Sequence, residues 1–270
     1  MFKMQNKEKT GEIFPKDIIL KCERMIAYDS NDYLYRKGSK HDNSTNWLFN
    51  FKLYRLFYPK YSGQITGNLK ILDLGCAGGG FVRACINDGC FAVGLEGSDY
   101  SKKMHRAEWP IIPDSLFTCD ITKDFSITKK KPKQIIKLHV ITAWEVLEHL
   151  EENQIGSLIE NIKKHLLEEG LFIASVANYS DMVSDIEFHR TQKPKKWWVK
   201  KFAEHGMYNL ENFYPYFNGQ YIRGPEESEK SFHIIMSLNP KKAPKPIKLS
   251  LKEKIVDIWK DSKIQRFLLK

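Results

Sequence analysis

The stretch "ILDLGCAGGGF", residues 71–81, decides the fold of this chain. It begins as an apolar strand that carries Asp73 near its end, and it continues through a glycine-rich turn into residues that favour a helix. Gly75, Ala77 and Gly79 occupy alternate positions of the turn, where small residues let the backbone bend sharply and let a ligand approach without interference from a Cβ atom. The stretch therefore predicts a strand, a ligand-binding turn and a helix, in this order.

Short apolar strands and helical segments alternate after this turn. The predicted strands are "KILDLG" at 70–75, "FAVGLE" at 91–96, "HVITAW" at 139–144, "LFIASVA" at 171–177 and "SFHIIMSL" at 231–238. The predicted helices cover 80–88, 100–107, 153–168 (ended by Gly170) and "PKKWWVKKFAEHG" at 194–206. Because strands that alternate with helices are joined by right-handed crossovers, the pattern predicts an α/β fold with a mainly parallel sheet covered on both faces.

The composition favours a globular protein with anionic partners. With 270 residues, 42% of them hydrophobic, the chain is long enough for one large α/β domain with additions. The net charge of +10 favours nucleic acid, a phosphorylated glycan or the inner membrane surface, although solvated lysine faces explain the same charge. The five cysteines lack CxxC spacing, and no segment has the composition of a signal peptide or a spanning helix. We therefore expect a cytoplasmic protein, at most peripheral at the inner membrane.

The residues after the glycine turn match a known family in order. The second strand ends at Glu96 in "VGLEGSDYS", "LFTCDIT" supplies Asp120, and the fourth strand runs into "AWEVLEHL" at 143–150. A glycine turn alone also fits dinucleotide-binding enzymes, but their Gly-x-Gly-x-x-Gly pattern follows the strand without a preceding acid. Over residues 69–178 the chain resembles the class I S-adenosylmethionine (SAM)-dependent methyltransferases. Its "EVLEH" is similar to that of ubiquinone-biosynthesis O-methyltransferases and of methyltransferases from polysaccharide-assembly clusters.

This resemblance implies a doubly wound, Rossmann-like sheet of seven mainly parallel strands. The sequence pattern outside the matched region predicts N-terminal helices and an insertion before the last strands. The resemblance also implies SAM as the cofactor, with Glu96 on the ribose hydroxyls, Asp120 on the adenine amino group and Ile121 beside the adenine ring. A carboxylate suits the two hydroxyls because it only accepts hydrogen bonds. The implied cofactor-binding set is Asp73, Gly75, Ala77, Gly79, Glu96, Gly97, Asp120, Ile121 and Trp144.

We divide the chain into three parts. Residues 1–60 form an N-terminal helical or lid segment, and residues 61–240 form the methyltransferase domain. Within that domain, residues 180–230 form a substrate-facing insertion, because they are too long for a plain connection between strands. Residues 241–270 form a basic linker and an amphipathic helix that docks on this domain, on a partner or on a second subunit.

The segment "AWEVLEHL" gathers two carboxylates and an imidazole at the end of a strand. If the chain turns helical there, Glu145, Glu148 and His149 share one face. His149, whose ordinary pKa lies near neutrality, is then the candidate base that takes the proton of an alcohol acceptor, and either glutamate orients it. Favourable placement of the glutamates at a helix N-terminus explains the same residues without catalysis.

The same segment is similar to the Glu-x-x-Glu-His group of the methyltransferases that modify the 2′-hydroxyl at the 3′ end of small RNAs. In those enzymes the group holds a divalent metal together with a distant histidine. That resemblance implies a Mg²⁺ or Mn²⁺ site formed by Glu145, Glu148, His149 and His189. Carboxylates and imidazoles suit such an ion beside a sugar hydroxyl. In the polysaccharide-cluster resemblance, His189 faces the substrate instead.

The predicted function is SAM-dependent O-methylation of a carbohydrate-type hydroxyl or a phosphorylated group, in bacterial surface polysaccharide such as capsule or lipopolysaccharide. The alternatives are metal-dependent 2′-O-methylation of an RNA 3′ end, O-methylation of a small quinone-type molecule, and a binding protein that keeps the cofactor fold without turnover. The candidate phosphate ligands are Arg190, Lys193, Lys195, Lys196 and Arg223, although solvated charge explains the same residues. The candidate platform for a sugar or a base consists of the aromatic residues Trp197, Trp198, Phe213, Tyr214, Tyr216, Phe217 and Tyr221.

Overall fold

The computed structural model describes residues 15–27, 43–58, 69–183, 185–224, 230–252 and 254–255. Its strands are β1 (Ile18–Cys22), β2 (Lys70–Leu74), β3 (Phe91–Glu96), β4 (Leu116–Thr118), β5 (Phe125–Lys129), β6 (Leu138–Trp144), β7 (Leu166–Val176), β8 (Met182–Val183), β9 (Ile186–Glu187), β10 (Tyr208–Asn209) and β11 (Phe232–Ser237). Its α-helices are α1 (Trp47–Phe57), α2 (Gly80–Asn87), α3 (Tyr100–Lys103), α4 (Ile155–His165), α5 (Lys195–Glu204) and α6 (Tyr214–Phe217). Short 3₁₀ helices cover Pro15–Asp17, Leu147–His149 and Glu211–Phe213.

In the described part of the chain, seven strands form one sheet in the order β10-β11-β7-β6-β2-β3-β4. The five strands β2, β3, β4, β6 and β7 pair in parallel. β11 runs antiparallel to β7, and β10 runs antiparallel to β11. The predicted α/β class, with a Rossmann-like, mainly parallel sheet of seven strands, is confirmed.

Helices cover both faces of this sheet, because its central strands are apolar on both sides. On one face, Ile159 of α4 and Trp198 of α5 share a buried cluster with Leu72 of β2. On the other face, Phe49 of α1 shares a buried cluster with Ile71. Adjacent residues of β2 thus point to opposite layers. The carboxyl ends of the parallel strands meet at one edge of the sheet, where ligands bind in folds of this kind.

The N-terminal region differs from the expectation of helices alone. Residues 18–22 form β1, which pairs antiparallel with β5. The α-helix described ahead of β2 is α1, whose N-terminus is capped by the Asn46 side chain. The strand was not predicted because its pairing is with residues more than a hundred positions away, and no local alternation marks it. The remaining residues of the predicted segment, 1–14, 28–42 and 59–60, lie outside the described residues.

The helix predicted over 153–168 is shorter than expected. α4 ends at His165 and β7 starts at Leu166, so the prediction that Gly170 ends the helix was wrong. Gly170 lies inside β7, where a Cβ atom would lie 2.7 Å from Cδ1 of Leu166. The pairing of β6 with β7 is also irregular between Leu138 and Val140. A glycine inside an irregular strand accommodates such a close approach.

The helix predicted over 100–107 is reduced to α3. His105 and Ala107 take positive φ values of 49° and 46°, which are incompatible with a continued right-handed helix. The sequence does not show this ending, because neither residue is a glycine.

The described part of the predicted C-terminal helix is short. Residues 251–252 and 254–255 are helical, and Leu251 and Ile255 are exposed. Residues 256–270, which carry most of the predicted apolar face, lie outside the described residues. Over the described ranges, no helix has the length and apolar content needed to cross a membrane.

His165, the last residue of α4, makes the stability of the fold depend on pH. Its Nε2 accepts a hydrogen bond from the Ile127 N–H at 3.0 Å, and its Nδ1 donates to the Asn161 carbonyl at 2.8 Å. Only the neutral ring satisfies both contacts. Burial lowers the pKa of His165 from 6.5 to about 4. The unfolded chain therefore binds a proton that the folded chain does not, and stability falls as the pH drops from about 6.5 towards about 4.

We expect the free energy of unfolding in urea to be about 2 kcal/mol lower at pH 5 than at pH 7 through His165 alone. The variant His165→Gln, which does not titrate, should show a smaller difference between the two pH values. An equal pH dependence of the variant and the unsubstituted chain would show that His165 does not cause it.

Candidate active site

A cleft opens where β2, β3 and β6 reach their carboxyl ends. It contains about 1070 Å³ of empty space, part of which is open to solvent. The predicted site residues that line it are Gly75, Ala77, Glu96, Gly97, Asp120, Ile121, Trp144, Glu145 and His149. The structure therefore brings most of the predicted residues to one cavity.

The glycine turn forms one wall of the cleft in a conformation that favours small residues. Gly75, Ala77 and Gly79 have φ values of 68°, 46° and 86°. A Cβ atom on Gly75 would lie 2.4 Å from Cγ2 of Val146, and one on Gly79 would lie 2.6 Å from Cδ1 of Leu116. Gly79 does not line the cleft, so its small size serves the packing under the turn.

Glu96, at the end of β3, connects the turn to the next loop. Its Oε2 accepts a hydrogen bond from the Ala77 N–H at 2.8 Å, and its Oε1 accepts one from the Ser98 N–H at 3.1 Å. The bond to Ala77 offsets part of the roughly 1–2 kcal/mol that a left-handed alanine costs. Because each carboxylate oxygen has a second lone pair, Glu96 can also accept hydrogen bonds from a vicinal diol in the cleft.

Asp73 lies below the turn, in a smaller cavity that it lines together with Asn43 and Trp144. Its Oδ1 accepts a hydrogen bond from the Thr142 hydroxyl at 2.7 Å. Burial raises the pKa of Asp73 to about 7, the Thr142 bond partly offsets this, and the charge of Glu96 adds to it. Trp144 lines both cavities, and its buried Nε1 has no hydrogen-bond partner among the described residues. This indole N–H can therefore donate to a ligand.

Asp120 reaches the cleft, but its carboxylate is already engaged. Oδ1 accepts hydrogen bonds from the Thr122 N–H at 2.9 Å and from the Thr122 hydroxyl at 2.7 Å. Oδ2 forms an ion pair with the guanidinium of Arg24, and the residue is fully buried. These contacts differ from the predicted arrangement, in which the carboxylate accepts a hydrogen bond from the adenine amino group. Ile121 lines the cleft as expected.

Glu145 follows β6 in an uncommon backbone conformation, with a φ of 54°. Its N–H donates to the carbonyl of Ser175, and its carboxylate accepts a hydrogen bond from the Ser231 hydroxyl at 3.0 Å. The carboxylate also pairs with Arg223 at 3.3 Å. The helical face predicted for the two glutamates and the histidine is not formed, because the positive φ turns the chain and only residues 147–149 form one 3₁₀ turn.

Glu148, His149 and His189 come together beside the cleft. One ligand atom of each lies within 4.8 Å of the others, and the two imidazole rings meet edge to face with centroids 4.9 Å apart. Nδ1 of His149 lies 3.0 Å from the Phe188 carbonyl, and Nδ1 of His189 lies 2.6 Å from the Tyr179 carbonyl. Each Nδ1 is therefore placed to donate to a backbone carbonyl, which in a neutral ring leaves the lone pair on Nε2, an arrangement typical of metal-binding histidines.

The carboxyl group of Glu148 is fully buried, and neither oxygen has a hydrogen-bond partner of good geometry in the ranges that the structure describes. Burial and the charge of Glu145 raise the pKa of Glu148 well above its usual range, and nearby amides and Arg223 offset this in part. A cation between this carboxyl group and the two imidazoles would remove the cost of its isolation. The three residues fit a divalent ion, whereas Glu145, the fourth predicted ligand, is not part of the cluster.

Charged and loop residues complete the other side of the cleft. Of the five candidate phosphate ligands, Arg190 and Arg223 line it together with Phe188, whereas Lys193, Lys195 and Lys196 do not. Ala27 and Thr122 also line it, and sequence reasoning missed both. A lone alanine and a lone threonine in loops carry no local signal of a binding site.

The predicted aromatic platform does not line the cleft. Trp198, Phe213 and Phe217 are buried in the core, and Tyr216 and Tyr221 are nearly so. Trp198 lies in the buried cluster under α5, because an amphipathic helix must bury one side, and the other four lie in the cluster on the opposite face of the sheet.

A comparison with protein-family models identifies the family of this chain. The family model described as "Methyltransferase domain" matches residues 47–219, a range that contains the glycine turn, Glu96, Asp120 and the Glu148 cluster. No curated protein matches the chain.

Solved structures that match include a TehB-like SAM-dependent methyltransferase from Corynebacterium glutamicum, with 15% identity over 68% of this chain and 85% of that chain and a TM-score of 0.43. A SAM-dependent methyltransferase from Clostridium acetobutylicum matches with 14% identity over 77% and 96% of the two chains and a TM-score of 0.46. The glycopeptide N-methyltransferase MtfA in complex with SAM matches with 13% identity over 75% and 99% and a TM-score of 0.45.

Proposed function

We propose an acceptor for this chain, which belongs to the methyltransferase-domain family and is a SAM-dependent methyltransferase. The acceptor that we propose is a hydroxyl group of a carbohydrate-type molecule that carries negative charge, such as a phosphorylated precursor of bacterial surface polysaccharide. One observation carries the proposal: the buried Glu148 carboxyl group and two imidazoles lie beside a cleft that is also lined by Arg190 and Arg223.

The residues around the glycine turn fit SAM. Glu96 has lone pairs for the two ribose hydroxyls, and the indole N–H of Trp144 has no partner among the described residues. Gly97 and Ile121 line the same end of the cleft. When bound, SAM supplies a methyl group that is activated by a sulfonium sulfur.

A hydroxyl acceptor must lose its proton during methyl transfer, and the Glu148 cluster is placed to promote this loss. Glu148, His149 and His189 would hold a divalent cation such as Mg²⁺ or Mn²⁺, which would lower the pKa of a neighbouring hydroxyl. The acceptor oxygen forms a bond to the methyl carbon as the carbon–sulfur bond breaks. S-adenosylhomocysteine is left, and the hydroxyl proton passes to solvent.

Two guanidinium groups favour an anionic acceptor. Arg190 is one-third exposed and makes a long ion pair of 3.8 Å with Glu151, so it can turn towards a phosphate group. Arg223 balances Glu145 at the inner end of the same cleft. Glu96, Asp120, Glu145 and Glu151 also line the cleft, so the preference for a phosphorylated sugar over a neutral quinone-type molecule rests on Arg190, which can pair with a phosphate group.

The test is a panel of acceptors, with release of S-adenosylhomocysteine as the readout. Nucleotide sugars and phosphorylated oligosaccharides should give the highest kcat/KM, ahead of neutral glycosides, catechols and RNA 3′ ends. Arg190→Gln should raise KM for a phosphorylated acceptor about tenfold and leave the affinity for SAM unchanged.

Lys193→Gln is the matched control for Arg190→Gln. Lys193 also pairs with a glutamate, Glu152, at 3.3 Å, but it does not line the cleft. Its substitution should leave KM unchanged. Equal use of neutral and phosphorylated glycosides, with no effect of Arg190→Gln, would refute an anionic acceptor.

The Glu148 cluster also favours a second candidate, 2′-O-methylation of an RNA 3′ end, which places the same chemistry on a ribose hydroxyl. RNA binding would be steeply salt-dependent, because phosphate contacts release counterions. Methyl transfer to an RNA end, with an affinity that falls with salt, would replace the glycan by RNA as the acceptor.

A further inference from the structure

Residues 18–27, which we name the N-terminal strap, run along the edge of the cofactor end of the cleft. β1 holds the start of the strap against β5. Beyond β1, the Asp120 N–H donates to the Arg24 carbonyl at 3.0 Å, and the Ala27 N–H donates to the Gly97 carbonyl at 3.0 Å. The strap lies outside the range that the family model matches. It nevertheless supplies Ala27 to the cleft wall.

Arg24 joins the strap to the loop that follows β4. Its Nε donates to Oδ2 of Asp120 at 2.5 Å, and a second guanidinium nitrogen also pairs with this oxygen. The Asp120 side chain is 1% exposed and the Arg24 side chain 25%, so solvent screens this pair little on the aspartate side. The other oxygen, Oδ1, holds the N–H and the hydroxyl of Thr122.

These contacts determine how the loop can meet a nucleoside. Asp120, Ile121 and Thr122 all line the cleft, beside Gly97 and the diol-binding Glu96. Because Thr122 and Arg24 engage both carboxylate oxygens, the side chain of Asp120 acts within the protein. A nucleoside base bound at this end of the cleft therefore contacts Ile121, Ala27 and the backbone of residues 120–122.

We propose that Arg24 is a positioning residue for the base of the cofactor. By pairing with Asp120, it fixes the strap and the loop 120–122 as one unit, so that Ala27 and Ile121 form the slot for the base. This inference rests on the proposed SAM site, and it assigns to a residue outside the matched family range a role in cofactor affinity.

Calorimetric titration with S-adenosylhomocysteine tests the proposal on the full chain. Arg24→Gln and Asp120→Asn should each weaken binding about tenfold, whereas Arg24→Lys, which keeps the charge, should bind nearly as the unsubstituted chain does. The double variant with Gln at 24 and Asn at 120 should recover most of the affinity, because the two amides can hydrogen-bond to each other. At saturating SAM, kcat of Arg24→Gln should be unchanged, since the change affects binding alone.

A second ligand separates positioning from direct recognition of the base. S-inosylhomocysteine carries a carbonyl group where adenine carries its amino group. If Arg24 positions the slot, both single variants lose affinity for the two ligands by the same factor. If Asp120 instead accepts a hydrogen bond from the adenine amino group, Asp120→Asn shifts the preference towards S-inosylhomocysteine while Arg24→Gln does not, and the proposal is overturned.

Lys164→Gln is the matched control. Lys164 pairs with Asp124 beside β5, on the same edge of the fold, but it does not line the cleft. This variant should bind S-adenosylhomocysteine like the unsubstituted chain. Unchanged affinity in Arg24→Gln also overturns the inference. If the unsubstituted chain itself does not bind S-adenosylhomocysteine, the proposed function fails as well, so the two failures are distinguishable.

Discussion

Replacing His189 by alanine is expected to lower the affinity for Mn²⁺ about 100-fold and to lower kcat for methyl transfer by a similar factor. His189 supplies one of the three ligand atoms that lie within 4.8 Å of one another. Its Nδ1 is fixed by the Tyr179 carbonyl, so the ring is oriented before an ion arrives. The measurements are calorimetric titration of Mn²⁺ into chelator-treated protein and release of S-adenosylhomocysteine with and without the ion.

Glu148→Gln is the second variant for the same site, because it keeps the size of the side chain and removes the negative ligand. It should lose Mn²⁺ binding as His189→Ala does, while the fold is retained. The matched control is His205→Ala: His205 contacts Glu160 at 3.2 Å and does not line the cleft. Its substitution should change neither ion binding nor methyl transfer.

The outcome separates two roles for the histidines. If the unsubstituted chain binds neither Mn²⁺ nor Mg²⁺ and transfers methyl groups fully in chelator, the cation site is refuted. His149, which lines the cleft, is then the remaining candidate to accept the hydroxyl proton. In that case His149→Ala abolishes transfer and His189→Ala does not. If His149→Ala and His189→Ala each lose both ion binding and activity, the two imidazoles act as ligands of one cation.

The parts of the fold that the sequence predicts are those with local patterns. The strand, turn and helix at 71–81 follow from apolar spacing and from small residues that permit positive φ values. The meeting of Glu148 and His149 with His189 was predicted only from a resemblance, because the two segments approach through the insertion. The structure brings these three residues together.

The rest depends on contacts between distant segments. The pairing of β1 with β5 and the ion pair between Arg24 and Asp120 join residues about a hundred positions apart, and no short window of sequence contains both partners. The separation of Glu145 from the cluster results from a positive φ at a residue that rarely adopts one. Such a turn depends on the Ser175, Ser231 and Arg223 contacts around it, which become visible only in the folded chain.

Replacing Glu96 by glutamine is expected to weaken binding of S-adenosylhomocysteine about 100-fold, or about 2.7 kcal/mol. The two oxygens of Glu96 accept backbone hydrogen bonds from Ala77 and Ser98. A glutamine turns one acceptor into an NH₂ group that faces an N–H donor, so a buried donor is left without a partner. When the NH₂ group faces Ala77, the glycine turn loses the hydrogen bond from the Ala77 N–H, and the ribose diol loses one of its two acceptor oxygens.

Binding of a 2′-deoxy analogue of S-adenosylhomocysteine tests whether this loss of affinity comes from the contact with the diol or from the glycine turn. The unsubstituted chain should bind the analogue more weakly than the parent ligand, whereas Glu96→Gln should bind the two with similar affinity, because the contact to the hydroxyl is already lost. Glu108→Gln is the control: Glu108 accepts a hydrogen bond from Asn43 at 3.2 Å near the same turn, without lining the cleft. If Glu96→Gln keeps full affinity and the preference for the 2′-hydroxyl, Glu96 serves the turn alone and the diol binds elsewhere.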